Sequence, residues 1–319
     1  MQAGEVREVA KLAHPCDEKP SADRRVPVCS YRMGNLGNRR QDHRRHTHNN
    51  TDTVRDFIAK LIFVRFRPLW HDLKAKHPAA HRLLSIGSRI VFPWSHRVWM
   101  RSEGGIARGL YFRLNPRFER DFLQRGPVPI EKVWMDNLLP GTVFYDVGSH
   151  IGVFAISAAR IIGPQGAVYA FEPDPKNVRL IKENARRNSL ALEIIPGAVW
   201  KCSGRFPFWL ASDSDPSRMG GHLGGNELNS LISVNTFSLD DFSREHRPPS
   251  FIKIDVEGAE AEVLEGARNT IITHRPNLLI EIHNDKALCR VSTLLQEYGY
   301  DFRRVVPELP LFSASPKRG

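Results

Sequence analysis

From Gly141 onward, short apolar runs alternate with stretches of helical spacing, and few folds accept that alternation. The strand-like runs are TVFYDV (142–147), AVYAFE (167–172), LEIIPGAV (192–199), FIKIDV (251–256), NLLIEIH (277–283) and YDFRRVV (300–306). Helical spacing covers 151–162, 175–188, 258–272 and 286–298. Strands that are nearly continuous in apolar residues must be covered on both faces, so the pattern predicts a largely parallel sheet between helices. Asp174-Pro175 suits a helix start, because Asp accepts from the first free N–H groups and Pro fits the first turn. No internal repeat is evident.

The formal charge of +11 suggests a polyanion partner until it is located. Residues 1–100 hold 19 Lys/Arg against 9 Asp/Glu, whereas 101–319 hold 27 against 26. The body is close to neutral, so the total charge does not imply nucleic-acid binding. Residues 1–50 have too little apolar content to offset ordering entropy and are expected to be a disordered basic arm. Residues 51–114 form a preface: amphipathic helical spacing over 53–99, then a strand pair. Peripheral membrane contact through 53–99 is the functional alternative to simple packing on the main domain. Four scattered cysteines (16, 29, 202 and 289) show no metal-ligand spacing, and no disulfide framework is expected. With no secretory leader and no long apolar run, the expected location is cytoplasmic. The main domain is expected over 115–307, with 308–319 as a tail. The Gly-, Ser- and Asn-rich segment 211–230 predicts a long loop, in which Arg218, His222, Asn226 and Asn229 could meet a polar acceptor.

Chemistry is expected at the carboxyl ends of the parallel strands. There the stretch VFYDVGSHIG (143–152) runs from a strand through an acid and two glycines into a helix. The glycines permit close backbone approach, and the helix start offers free N–H groups. The spacing D-x-G-x-x-x-G is not the dinucleotide fingerprint, and Asp146 would repel a pyrophosphate. Glu172, closing the second strand, can accept from both hydroxyls of a ribose. Asp255 and Glu257 follow a later strand into the same crevice. A ligand with a ribose, no phosphate and positive charge of its own satisfies these demands, and S-adenosylmethionine has all three.

The four blocks FYDVGSHIGVFAISAARIIGPQGAVYAFEPDPKNVRLIKENARRN, SVNTFSLDDF, FIKIDVEGAEAEVLEGA and RPNLLIEIH closely resemble the FkbM family of S-adenosylmethionine-dependent methyltransferases. The likeness spans roughly Asn115 to His283. It implies a class I methyltransferase fold: an α/β, mostly parallel seven-stranded sheet with helices on both faces, here with an N-terminal helical extension. It also implies O-methylation of a sugar, glycan, lipid-linked saccharide or other small metabolite. Carried over by position, Asp146, Gly148, Ser149 and Gly152 would line the methionine end of the cofactor, and Glu172 would hold the ribose. Ala198 would border the adenine, and Asp255 and Glu257 would face the sulfonium and the acceptor. His150 stands where the family commonly has Asn.

An alkyl hydroxyl is a poor nucleophile, so a base should take its proton during attack. Asp255 and Glu257 lead, followed by Glu260, Glu281, His283 and Asp285. The acids at 255, 257, 281 and 285 could instead bind magnesium, but strand-end acids are equally expected without a metal, and none is assigned. Two alternatives stand beside the small-molecule reading: an RNA methyltransferase using the basic arm, and a non-catalytic scaffold that retains the fold.

Overall fold

The computed structural model describes residues 76, 97–115, 133–134, 136–210, 222–223, 231–307 and 309–317. The basic arm, most of the preface, and Arg218, Asn226 and Asn229 lie outside the described residues, as does the side chain of His222.

The core is a seven-stranded sheet. Its strands are β3 (Val143–Val147), β4 (Ala167–Glu172), β5 (Glu193–Pro196), β10 (Phe251–Ile254), β11 (Asn277–Glu281), β12 (Tyr300–Arg304) and β13 (Leu311–Pro316). Their order across the sheet is β12-β13-β11-β10-β3-β4-β5. β5, β4, β3, β10 and β11 run parallel, and β13 enters antiparallel beside β11 and pairs with β12. Every residue of β3 and β10 is buried, as strands covered on both faces require. Between the strands run α1 (Val153–Ile162), α2 (Pro175–Arg187), α3 (Leu239–Glu245), α4 (Glu260–Glu265), α5 (Arg268–His274) and α6 (Asp285–Glu297). Two apolar layers result. One joins Phe144, Phe251, Trp134 and α1, and the other joins Tyr145, Ile252, Ile254 and α6.

Asp174 caps α2 through its side chain, accepting from the Lys176 N–H at 2.7 Å, and Pro175 occupies the first turn. The run 192–199 divides at Gly197 into β5 and a two-residue strand, β6 (Ala198–Val199). A Cβ at Gly197 would lie 2.6 Å from the Asn235 carbonyl oxygen, so the chain can cross there only as glycine. β6 leads into a second sheet with β7 (Gly204–Trp209), β8 (His222–Leu223) and β9 (Leu231–Phe237), in the order β6-β9-β7-β8. The helical stretch 258–272 is likewise two helices, α4 and α5. They separate at Gly266, where a Cβ would strike the Trp200 carbonyl oxygen at 2.2 Å.

Three expectations are corrected. Residues 308–319 are not a tail: β13 fills the place between β11 and β12, with Phe312 and Ala314 in the core. LFSASP is short and one-third serine, and its partners on both sides bury it. The strand pair near residue 100 is β1 (Val98–Arg101) with β2 (Tyr111–Leu114), and it is part of the main domain rather than a separate preface. Phe112 and Leu114 are fully buried, and the backbone of β2 is bound by side chains of α2 and its C-terminus. Asn184 Oδ1 accepts from the Arg113 N–H at 2.7 Å, and Asn188 Oδ1 from the Tyr111 N–H at 2.8 Å. Cys202 is disulfide-bonded, and Cys289 carries an exposed free thiol; spacing alone holds no pairing information. Among the described residues, no helix is long and apolar enough to cross a membrane.

Asn184 is fully buried, and its amide also donates to the Ile151 carbonyl at 2.9 Å. One side chain therefore joins the hairpin, α2 and the turn before α1. Asn184→Leu strands both backbone groups, and the expected loss of stability is about 2–4 kcal/mol by urea denaturation.

Candidate active site

A cavity of about 220 Å³ opens at the carboxyl ends of β3, β4, β10 and β11. Its floor is the turn after β3. Gly148 adopts φ +80°, and a Cβ there would stand 1.9 Å from the Asp255 carbonyl oxygen, so turn and segment touch backbone to backbone. The turn hangs from β4 through the Gly148 and Ser149 N–H groups, which both donate to the Phe171 carbonyl at 3.1 and 3.0 Å. His150 takes the left-handed conformation at φ +52°, and Gly152 does so at φ +84° just before α1.

Glu172 fastens this turn. Its Oε2 accepts from the His150 N–H at 2.7 Å, and its Oε1 accepts from the Asp174 N–H at 2.9 Å and the Asn177 amide at 3.4 Å. Burial pushes its pKa up to about 8, against the pull of those donors. It lines the cavity, and a carboxylate has about four acceptor sites, so capacity remains for a hydroxyl. Beyond Glu172 the wall is apolar: Phe171, Ala198, Val199 and Phe208. Phe208 comes from β7 of the second sheet, and nothing in the order of strands and helices points to it.

The opposite end is polar. Asp255, Glu257, Glu281 and His283 line it. His283 Nδ1 donates to Glu260 Oε1 at 2.9 Å, and that oxygen also accepts from the Gly258 N–H at 2.9 Å. Glu260 is fully buried and its other oxygen has no hydrogen-bond partner. His283 Nε2 faces Asp255 Oδ1 and Glu257 Oε2, each at 3.7 Å. Glu257 itself sits at φ +53°, a conformation that L residues seldom adopt and that concentrates at functional sites.

The structure brings Gly148, Ser149, Glu172, Ala198, Asp255 and Glu257 to the lining of one cavity. Asp146 and Gly152 lie behind it. Asp146 is fully buried, and Lys253 Nζ lies 3.5 Å from its Oδ1. Gly152 instead packs under Ile156 and Ile181, where a Cβ would crowd their methyl groups at 3.1–3.2 Å. Among the weaker candidates, Glu281 and His283 reach the cavity. Glu260 acts from behind His283, and Asp285 opens α6 away from the wall. One ligand atom each from Asp255, Glu281 and His283 lies within 4.8 Å of the others, which a cation could use. Lys253 already supplies positive charge to Asp255 at 3.2 Å, and no ligand set is assigned.

Lys253 is the residue that sequence reasoning passed over. A lysine in the middle of FIKI, a strand otherwise apolar and wholly buried, needs a partner for its charge, and that was the available signal.

The sheet order with its antiparallel β13, the glycine turn and the acid closing the second core strand define a class I methyltransferase. Residues 146–302 match the Methyltransferase FkbM domain. A hexuronic acid methyltransferase of Haloferax volcanii is 29% identical over 175 residues, 54% of this chain and 69% of that protein. A 31-O-demethyl-FK506 methyltransferase of Streptomyces tacrolimicus is 29% identical over 208 residues, 56% and 79% of the two. A crystal structure of a methyltransferase FkbM from Methylobacillus flagellatus aligns with TM-score 0.40 and 20% identity. That alignment covers 55% of this chain and 43% of the other, so the chain spans less than half of that structure. Residues 146–302 therefore carry a methyltransferase FkbM domain, similar in sequence to known methyltransferases.

His283 gives a pH signature. Burial lowers its pKa, but the hydrogen bond to Glu260 and the charges of Glu257 and Asp255 outweigh it and push the pKa up to about 9. Stability from the charged ring is therefore complete below pH 6.5 and lost as pH rises through about 9. In Glu260→Gln the imidazole is expected to titrate closer to an exposed histidine, read by NMR of its ring protons.

Proposed function

We propose that the protein transfers a methyl group from S-adenosylmethionine to a hydroxyl of a sugar, glycan, lipid-linked saccharide or related small metabolite. The observation that carries this reading is the cavity's two unlike ends, one apolar beyond Glu172 and one built of carboxylates and an imidazole. Residues of the wall fit the cofactor. Gly148, bare of a Cβ, lets a ligand lie against the turn; Glu172 has capacity for ribose hydroxyls; and Phe171, Ala198, Val199 and Phe208 offer a face for adenine.

When bound, S-adenosylmethionine supplies a methyl group made reactive by its sulfonium. The chain's own part is to orient the acceptor, exclude water and receive a proton. Asp255 and Glu257 serve as acceptor-facing carboxylates. Asp255 Oδ2 is held by Lys253, while Glu257 is the more exposed of the two, so it is the carboxylate better placed to take the hydroxyl proton. The names of the two relatives, one a hexuronic acid methyltransferase and one a 31-O-demethyl-FK506 methyltransferase, support a hydroxylated small-molecule acceptor.

Calorimetric titration with S-adenosylhomocysteine, with NAD as control, tests the cofactor half: one site for the first and none for the second. Glu172→Ala is expected to weaken that binding about tenfold or more, because the His150 and Asp174 N–H groups lose an acceptor worth about 1–3 kcal/mol each. Glu257→Ala should keep the affinity and lower turnover about a hundredfold or more with a methyl hexuronide or another glycoside found by acceptor screening. Unchanged turnover would remove Glu257 from the chemistry.

A further inference from the structure

Lys253 has no assigned part in the reaction, yet its side chain lines the cavity and touches both halves of the site. Its ammonium donates to the Gly148 carbonyl at 2.9 Å, the backbone group at the centre of the glycine turn. It lies 3.5 Å from Asp146 Oδ1 beneath that turn and 3.2 Å from Asp255 Oδ2 on the acceptor side. The fourth contact is the face of Phe154, whose ring centroid is 5.2 Å away and which extends from α1. Only 7% of the side chain is exposed. The further group that acts on it is Glu281 of β11.

Both side-chain oxygens of Asp146 are buried; burial opposes its ionisation, and the charge of Lys253, 3.5 Å from Oδ1, is the first of the influences that favour it. A carboxylate in that setting is stable as an ion only beside a fixed cation. On the acceptor side, Lys253 occupies Oδ2 of Asp255, and Oδ1 turns toward His283 Nε2. One ammonium thus sets the charge below the turn and the aim of the carboxylate above it.

We infer that Lys253 is a positioning residue that links the cofactor turn to the acceptor carboxylate, balancing Asp146 under the turn and holding one oxygen of Asp255 so that the other serves the acceptor. The cofactor half of this inference rests on the methyltransferase reading; the charge-balance half does not.

The test is calorimetric titration of the full chain with S-adenosylhomocysteine in phosphate and in Tris, two buffers of different ionisation enthalpy. Wild type sets the reference proton balance, to which Glu172 contributes with a pKa of about 8. Lys253→Met should bind about tenfold more weakly, a modest share of what charges about 4 Å apart exchange at an effective dielectric near 20. It should also release close to one proton more than wild type, as the field of the incoming ammonium, acting through the turn, favours ionisation of Asp146 behind it. Lys253→Arg restores the charge and the wild-type proton balance. Asp146→Asn in the Lys253→Met background abolishes the extra release. A folded Lys253→Met protein with wild-type proton balance would overturn the inference.

Thermal melts without ligand judge the charge-balance half separately. An unbalanced Asp146 is protonated in the folded state to a higher pH than in the unfolded chain. The melting deficit of Lys253→Met should therefore shrink as pH falls from about 8 to about 5. A deficit independent of pH contradicts the inference, as does failure of Asp146→Asn to rescue a Lys253→Met chain that does not fold. If wild type fails to bind S-adenosylhomocysteine, the methyltransferase reading is what falls, and the melts still decide on Lys253.

Discussion

The close approach of the Gly148 turn to the Asp255 backbone is the constraint on which the site depends. The missing Cβ leaves no room for any side chain between the two segments. β3 and β10 are neighbours in the sheet, so their carboxyl ends emerge side by side. Pressed together, the segments place the glycine turn and the Asp255 carboxylate in one cavity. Glu172 and Lys253 then fasten the turn from opposite directions, the first through the His150 N–H and the second through the Gly148 carbonyl.

The site is also a problem in charge. Asp146, Glu172, Asp255, Glu257, Glu260 and Glu281 gather around it, and burial opposes ionisation of the deepest of them. The chain offsets this with Lys253 and with a His283 held charged by its carboxylate neighbours. A cationic cofactor is compatible with such a surface, and a pyrophosphate is not. The two left-handed non-glycine residues on the wall, His150 and Glu257, are where backbone strain is retained for geometry.

Much of the fold was legible because its strands are apolar on both faces. The core strands at 143–147, 167–172, 251–254 and 277–281 fall within the runs marked by composition alone. What escaped was what lacks a one-dimensional signal. β13 is short and one-third serine, and becomes a strand because β11 and β12 leave a gap for it. The division of the helix at Gly266 comes from the Trp200 carbonyl, 66 residues away in the chain. The β1–β2 hairpin joins the domain through Asn184 and Asn188, whose roles depend on which strand lies opposite α2.

By itself the sequence determined the sheet class, the end of the sheet where chemistry occurs, the glycine turn and the acids Glu172, Asp255 and Glu257. Those follow from periodicity, from glycine's freedom and from where a parallel strand must end. Tertiary structure alone decided which acids reach the cavity. It buried Asp146 against Lys253, set Glu260 behind His283 and brought Phe208 from a second sheet to the apolar wall. The reason is physical: hydrogen bonding and ion pairing between residues distant in sequence depend on orientation, and orientation exists only once the strands are side by side.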